Sequence, residues 1–198
     1  MQPRNNRDSR PWLRPNKRKI LESILHLISE AEQRGTHVTR YEIIKSLFLA
    51  DRSHLNMYGR PITFDNYYAM RDGPVPSEAK KMLMPAYAPK DLSDSWPLWA
   101  MEPSPQDGRS AYKYVRPTRK ANSRVLSATD ISALNEALSN VKAKTFAQVR
   151  EETHLEAAWI EAWKPNGGKE SYHMDYALML DAHDPEAIED IVFASRNM

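Results

Sequence analysis

Apolar residues first recur at helical spacing in Ile20, Ile24 and Ile28, with Leu21 and Leu25 beside them. This is one stripe of an amphipathic helix. Asn16 is a favoured N-cap before it, and Gly35 suits its C-terminal end. Tyr41, Ile44, Leu47, Phe48 and Leu55 repeat the spacing through a second helix that Thr39 can cap. Gly59 and Pro61 then break the pattern. From Pro61 to Pro76 the alternation of Ile62, Phe64, Tyr67 and Ala69 is weak and aromatic. It predicts an ordered loop with a brief extended piece, after which Ser77 caps a short helix over residues 78–84.

Residues 85–110 hold five prolines and read as an irregular connection. Within it, residues 97–102 can pair with the alternating stretch 111–116 as a β-hairpin across Pro103–Gly108. Pro97 and Pro103 keep that strand short. Ser127 and Asp130 have the spacing of a capping box, with Asp in place of Glu, ahead of Ile131, Leu134, Leu138 and Val141. Thr145 can cap a further helix that carries Phe146 and Val149 and ends at Trp159 and Trp163. Residues 165–168 break the chain, and 172–180 read as one or two more helical turns. Asp184 before Pro185 starts a last helix with Ile188, Ile191 and Val192. The sum is a mainly α fold, a compact helical domain with a small β-hairpin.

The 198 residues, 41% hydrophobic and 27% charged, are globular in composition and suit one domain with small appendages. No stretch approaches eighteen apolar residues, so a membrane span is not expected. No apolar core follows the basic start, so no secretory signal is expected either. The absence of Cys removes disulfides, thiolate metal sites and a Cys nucleophile, and a cytoplasmic setting is the simplest expectation. The formal net charge of +2 hides an asymmetry. Residues 151–198 sum to −8 and the rest to +10, with seven Lys and Arg in the first twenty residues. A basic arm attracts nucleic acid or an acidic partner, or is simply a solvated terminus. The organisation expected is a basic irregular arm over 1–15, a domain over 16–165 and an acidic helical extension over 166–198.

Candidate chemistry is sparse. Asp51 and His54 lie three apart on one helix face, with Tyr58 a turn further on, so an acid–base pair is conceivable. The competing reading buries Asp51 between Leu47 and Leu55, satisfied by Arg52, Arg60 or a backbone amide of the following loop. The six His show no metal-ligand spacing, and the common phosphate-binding and nucleophile-elbow motifs are absent. No metal or cofactor is expected. Tyr58, Phe64, Tyr67 and Tyr68 gather around Arg60 and Arg71. That mixture suits a protein-binding patch, stacking on single-stranded nucleic acid, or rings filling core beneath a loop.

The stretch from Ile44 to Ser77 contains "LADRSH", "YGRPITFDNYYAM" and "GPVPS" in order. It resembles the Panacea domain, the SocA-like antitoxin domain also found in some phage-associated proteins. Later, "THLEAAW" resembles the family's His-to-Trp segment, carried here by His154 and Trp159. The resemblance spans roughly residues 17–165. It marks Asp51, Arg52, His54, Tyr58, Gly59, Arg60, Pro61, Asp65, Tyr67, Met70, Gly73, Pro74, Val75 and Pro76 as structural or binding positions, none of them catalytic. Phe64 departs from the family, which often has Gly there. The resemblance implies a helical domain without enzymatic activity and a cognate protein toxin as partner, neutralised by direct contact. Delivery of the toxin to a Clp protease is the alternative, and a nucleic-acid-binding regulator using the basic arm is another. The shared loop is expected to be tied internally, with Arg60 reaching Asp51 or Asp65. Gly73 is expected to hold a backbone conformation closed to other residues.

Overall fold

The computed structural model describes residues 10–87, 96–103, 112–182 and 184–198. The sequence-predicted elements at 1–9, 88–95 and 104–111 lie outside the described residues. Helix α1 (Lys17–Gln33) starts where Asn16 Oδ1 accepts from the Lys19 amide at 3.0 Å, and Gly35 follows its end at φ +69°. A two-residue strand β1 (Val38–Thr39) leads into α2 (Arg40–Tyr58). Thr39 and Glu42 cap α2 reciprocally, and Gly59 closes it at φ +72°, where a side chain would be strained. Helix α3 is Ser77–Met82, α4 is Ala128–Lys142 with the Ser127–Asp130 capping box, and α5 is Phe146–His154. A separate α6 (Ala157–Ala162) follows, then a 3-10 turn at Tyr176–Met179 and α7 (Pro185–Arg196), capped by Asp184.

The strands correct the expected single hairpin. The hairpin of β4 (Trp99–Pro103) and β5 (Tyr112–Pro117) is present, and β1 adds to it as a third strand, in the order β1-β5-β4. A second antiparallel sheet forms where an ordered loop with only a brief extended piece is expected. β2 (Tyr67–Met70) pairs with β3 (Gly73–Pro76) and with β6 (Tyr172–His173), in the order β3-β2-β6. The fold is therefore helix-rich with two small three-stranded sheets among the described residues, rather than helical with one hairpin. Three further local corrections follow. Residues 172–180, expected as one or two helical turns, begin as strand β6 and turn as a 3-10 helix only at Tyr176–Met179. The helix expected over 145–163 breaks at Leu155–Glu156 into α5 and α6. Ser77 is the first residue of α3 and does not cap it with its own hydroxyl.

Helix α2 organises both cores. Ile43, Ile44, Leu47 and Ala50 pack with α1, α4 and the first sheet, around Ile24, Ile28, Tyr114, Trp99 and Leu138. Phe48 and Leu55 face a second core built from Leu13, Phe64, Tyr67, Trp159, Met174, Tyr176, Met179 and Ile191. A helix buried on two sides has no clean polar face, which is why Lys45, Ser46, Asp51 and His54 are buried along with its apolar residues. The chain before α1 is held to this second core. Leu13 exchanges two hydrogen bonds with the Asn66 side chain, at 3.0 and 2.9 Å, and the Trp12 ring stacks on His173 at 4.1 Å.

Phe64 has φ +53° and is only 2% exposed. The left-handed backbone costs a non-Gly residue about 1–2 kcal/mol, while a buried Phe ring contributes about 3–5 kcal/mol. Burial wins, so the ring holds a conformation that suits Gly better. Phe64→Gly is expected to relieve the first and lose the second, for a net loss of about 2 kcal/mol in a urea titration. A stabilised variant would overturn this balance.

Candidate functional site

The residues marked by the resemblance run from the C-terminal half of α2, through the connection to β2, to the start of α3. Three buried carboxylates hold this run together. Asp51, fully buried on α2, accepts from the amides of Ile62 and Thr63 at 2.8 and 2.9 Å, from the Thr63 hydroxyl, and from the Tyr67 hydroxyl at 2.8 Å. Burial pushes its carboxyl above the usual value, and these donors pull it back. Asp65 works in the same way one turn on. Its oxygens accept from the Glu78 and Ala79 amides at 3.0 and 2.9 Å and from the Ser77 hydroxyl at 3.1 Å. It thus satisfies two free N–H groups of α3 from thirteen and fourteen residues away. Burial raises its carboxyl to about 6 despite those bonds.

Asp130 is the third carboxylate, and it corrects the expected partner of Arg60. The Arg60 guanidinium donates to Asp130 Oδ1 at 2.9 Å, so the internal tie exists but reaches α4 rather than Asp51 or Asp65. Lys19 from α1 donates to the other oxygen at 2.6 Å, and the Ser127 amide does so at 2.9 Å. Burial alone would raise the Asp130 carboxyl; Lys19, the Ser127 amide and Arg60 outweigh it and hold it below its usual value. His54 joins this cluster and not Asp51. Its Nδ1 faces the Arg60 carbonyl at 2.8 Å, so that nitrogen carries the proton, and Nε2 lies 3.0 Å from the Thr129 hydroxyl and 3.2 Å from Asp130. Desolvation lowers its pKa. Both ring nitrogens are thus committed to structural partners, and the Asp51–His54 acid–base pairing is not formed.

The aromatic patch divides. Tyr67 and Phe64 are core, while Tyr58 is 49% exposed beside the His54 ring. Tyr68 is half-buried against Trp12 and His173. Arg52 leaves the network sideways to Glu156 and to Asp181, the latter at 2.7 Å. Pro61 is buried and its carbonyl takes a second Arg60 bond at 3.2 Å. Of the cations in the first twenty residues, Arg10, Lys17 and Lys19 are paired with Glu161, Glu78 and Asp130; Arg4 and Arg7 lie outside the described residues. Among the described residues no three His, Asp or Glu side chains gather as a metal site, and no helix is long and apolar enough to cross a membrane.

The β2–β3 hairpin turns at Arg71–Asp72, with Met70 opposite Gly73. Gly73 has φ +102°, and a Cβ there would run into Lys45 Nζ and the Thr153 hydroxyl. Both features require glycine. Lys45 escapes the sequence reading, although it lies four residues after Tyr41 and three before Phe48, inside the apolar spacing of α2. It is 1% exposed, and its amine donates to the Pro74 carbonyl at 3.1 Å. Burial pushes that amine down to about 7; Asp72 opposes the shift and Arg150 adds to it. Beside it, His154 stacks on Trp159 at 3.7 Å, and the Trp159 indole N–H donates to the Met70 carbonyl at 3.0 Å. Burial, Arg150 and Lys45 push His154 down to about 4. Val75 is half-buried on the outer strand, and Pro76 is buried where it leads into α3.

Two predictions come from these contacts. Asp51→Ala strands two amides and two hydroxyls and is expected to cost about 3 kcal/mol, read as a lowered urea midpoint. An unchanged midpoint would show that the loop is not held by this carboxylate. Lys45 binds fewer protons folded than unfolded between about 7 and 10.5. Stability is therefore expected to rise with pH as it passes upward through that window. Lys45→Met is expected to remove this rise, and an identical pH profile in the two proteins would contradict it.

No curated protein and no solved structure matches the chain. A family model described as antitoxin SocA-like, Panacea domain, matches residues 43–160, which include most of α2, the hairpin, α3 and the His154–Trp159 stack. The match covers more than half of the chain, and the protein belongs to this family.

Proposed function

We propose that the protein is a non-catalytic antitoxin of the cytoplasm that neutralises a cognate protein toxin by direct binding, in the manner of a type II system. The observation that carries this reading is the family membership of residues 43–160. The commitment of the signature's polar groups supports it. Asp51, His54, Asp65 and Arg60 all spend their hydrogen bonds on the chain itself. Such a site positions a surface and offers no acid, base or nucleophile to a substrate. A hairpin fixed in advance also lowers the ordering cost of binding.

The test is growth with the neighbouring open reading frame induced alone and together with this protein. Toxicity relieved with a stable complex at unchanged toxin level is the expected result. Relief with falling toxin level, lost in a Clp-deficient host, would replace direct neutralisation by proteolytic delivery. A harmless neighbour, or toxicity that this protein does not relieve, would overturn the antitoxin reading.

A further inference from the structure

Beside the hairpin turn, between α2 and α3, lies a cleft of about 240 Å³. Four cations line it: Arg40, Lys45, Arg71 and Lys80. None of the four has a carboxylate within ion-pair distance among the described residues. The nearby acids are already engaged. Asp72, at the rim, sits 3.4 Å from Arg150 on the far side of the turn. Glu42 is bound to Lys142 at 3.0 Å, and Glu78 to Lys81 and Lys17. Lys45 is buried at the wall, its amine donating to the Pro74 carbonyl and lying 5.4 Å from the Tyr41 ring centroid. Ile44 and Val75 supply an apolar side to the same space. The volume is below that of a typical nucleotide or drug-sized pocket, and suits one or two side chains.

We propose that this cleft seats an acidic side chain of a partner protein, its carboxylate among Arg40, Arg71 and Lys80 and its methylene stem against Ile44 and Val75. Charge complementarity selects an acid, and the small volume with an apolar wall selects a glutamate side chain over a nucleotide. The inference deepens the antitoxin reading and rests on it for the identity of the partner. Lys45 adds a pH signature. The amine is held near 7, and the titratable and charged groups around it are Arg40 and Tyr41 on its own helix, Arg71 and Asp72 on the turn, Lys80 on α3, and Arg150 with the neutral His154 on α5. An incoming carboxylate favours its protonated form, so binding takes up a proton and weakens as pH rises from 6 to 8.

The experiment is an NMR titration of the full chain with a hexaglutamate peptide, and with hexaglutamine as control. Saturable shifts of the Arg71, Asp72 and Gly73 amides with the glutamate peptide alone are expected. In the double variant Arg40→Gln, Arg71→Gln, which changes rim residues without ion pairs, affinity is expected to fall about tenfold or more. Lys45→Met is expected to abolish the pH dependence; if it does not fold, the rim variant decides. Shifts centred on Arg14, Lys17 and Arg18, equal binding of both peptides, no binding, or unchanged affinity in the rim variant would each overturn the proposal. Its failure is separable from that of the antitoxin reading. Relief of toxicity without peptide binding removes only the cleft, and peptide binding without relief removes only the antitoxin role.

Discussion

The hydrogen bonds that Asp51 accepts from the Ile62 and Thr63 amides are the constraint on which the signature region depends. A loop that runs beneath a helix must find partners for its backbone N–H groups away from water. Here the helix supplies the acceptor from its own side chain. The loop is therefore fixed against α2 before β2 begins. Tyr67, bonded to the same carboxylate at 2.8 Å, then sets where that strand starts. Asp65 repeats the device for the first amides of α3, and Asp130 ties Arg60 and α1 to α4. Three ionisable groups that would each be costly when buried alone become the fasteners between elements, because every one of them is surrounded by donors.

The helices were legible because their signals are local. Asn16, Thr39, Ser127, Thr145 and Asp184 all cap where their side chains can reach an amide three residues on. The second sheet was not legible, for a physical reason. Pro74 and Pro76 argue against a strand, yet β3 is the outer strand of its sheet, where missing N–H groups are tolerated. The partner of Arg60 was beyond local reasoning, since Asp130 lies seventy residues away and only the packing of α2 on α4 brings them together. Lys45 did leave a trace. A lysine inside the apolar spacing of a helix either snorkels to solvent or is buried with a purpose, and the sequence alone does not separate the two.

The family signature is mostly architecture. Gly59 and Gly73 meet left-handed backbone, Asp51 and Asp65 meet amides, and Trp159 reaches back to the Met70 carbonyl. Of the marked residues, Tyr58 and Gly59 face outward, and Arg52, Arg60, Met70 and Val75 are partly open. A scaffold of this kind holds its shape whatever the surrounding surface does. On the proposed antitoxin reading, recognition is left to side chains at the rim of the hairpin and on the flanking helices, which are not tied into the buried carboxylates.

The hairpin's edge narrows how recognition can occur. An exposed sheet edge is a ready template for a partner's strand, which would read backbone rather than side chains. In this sheet the outer strand β3 has proline at two of its four positions, and the opposite edge, β6, is two residues long. The Pro74 carbonyl is also taken by Lys45. Little free backbone remains on either side for strand addition. On the proposed reading, a partner at this face is recognised through charge and shape, by the cations of α2, the turn and α3 that have no ion pair among the described residues.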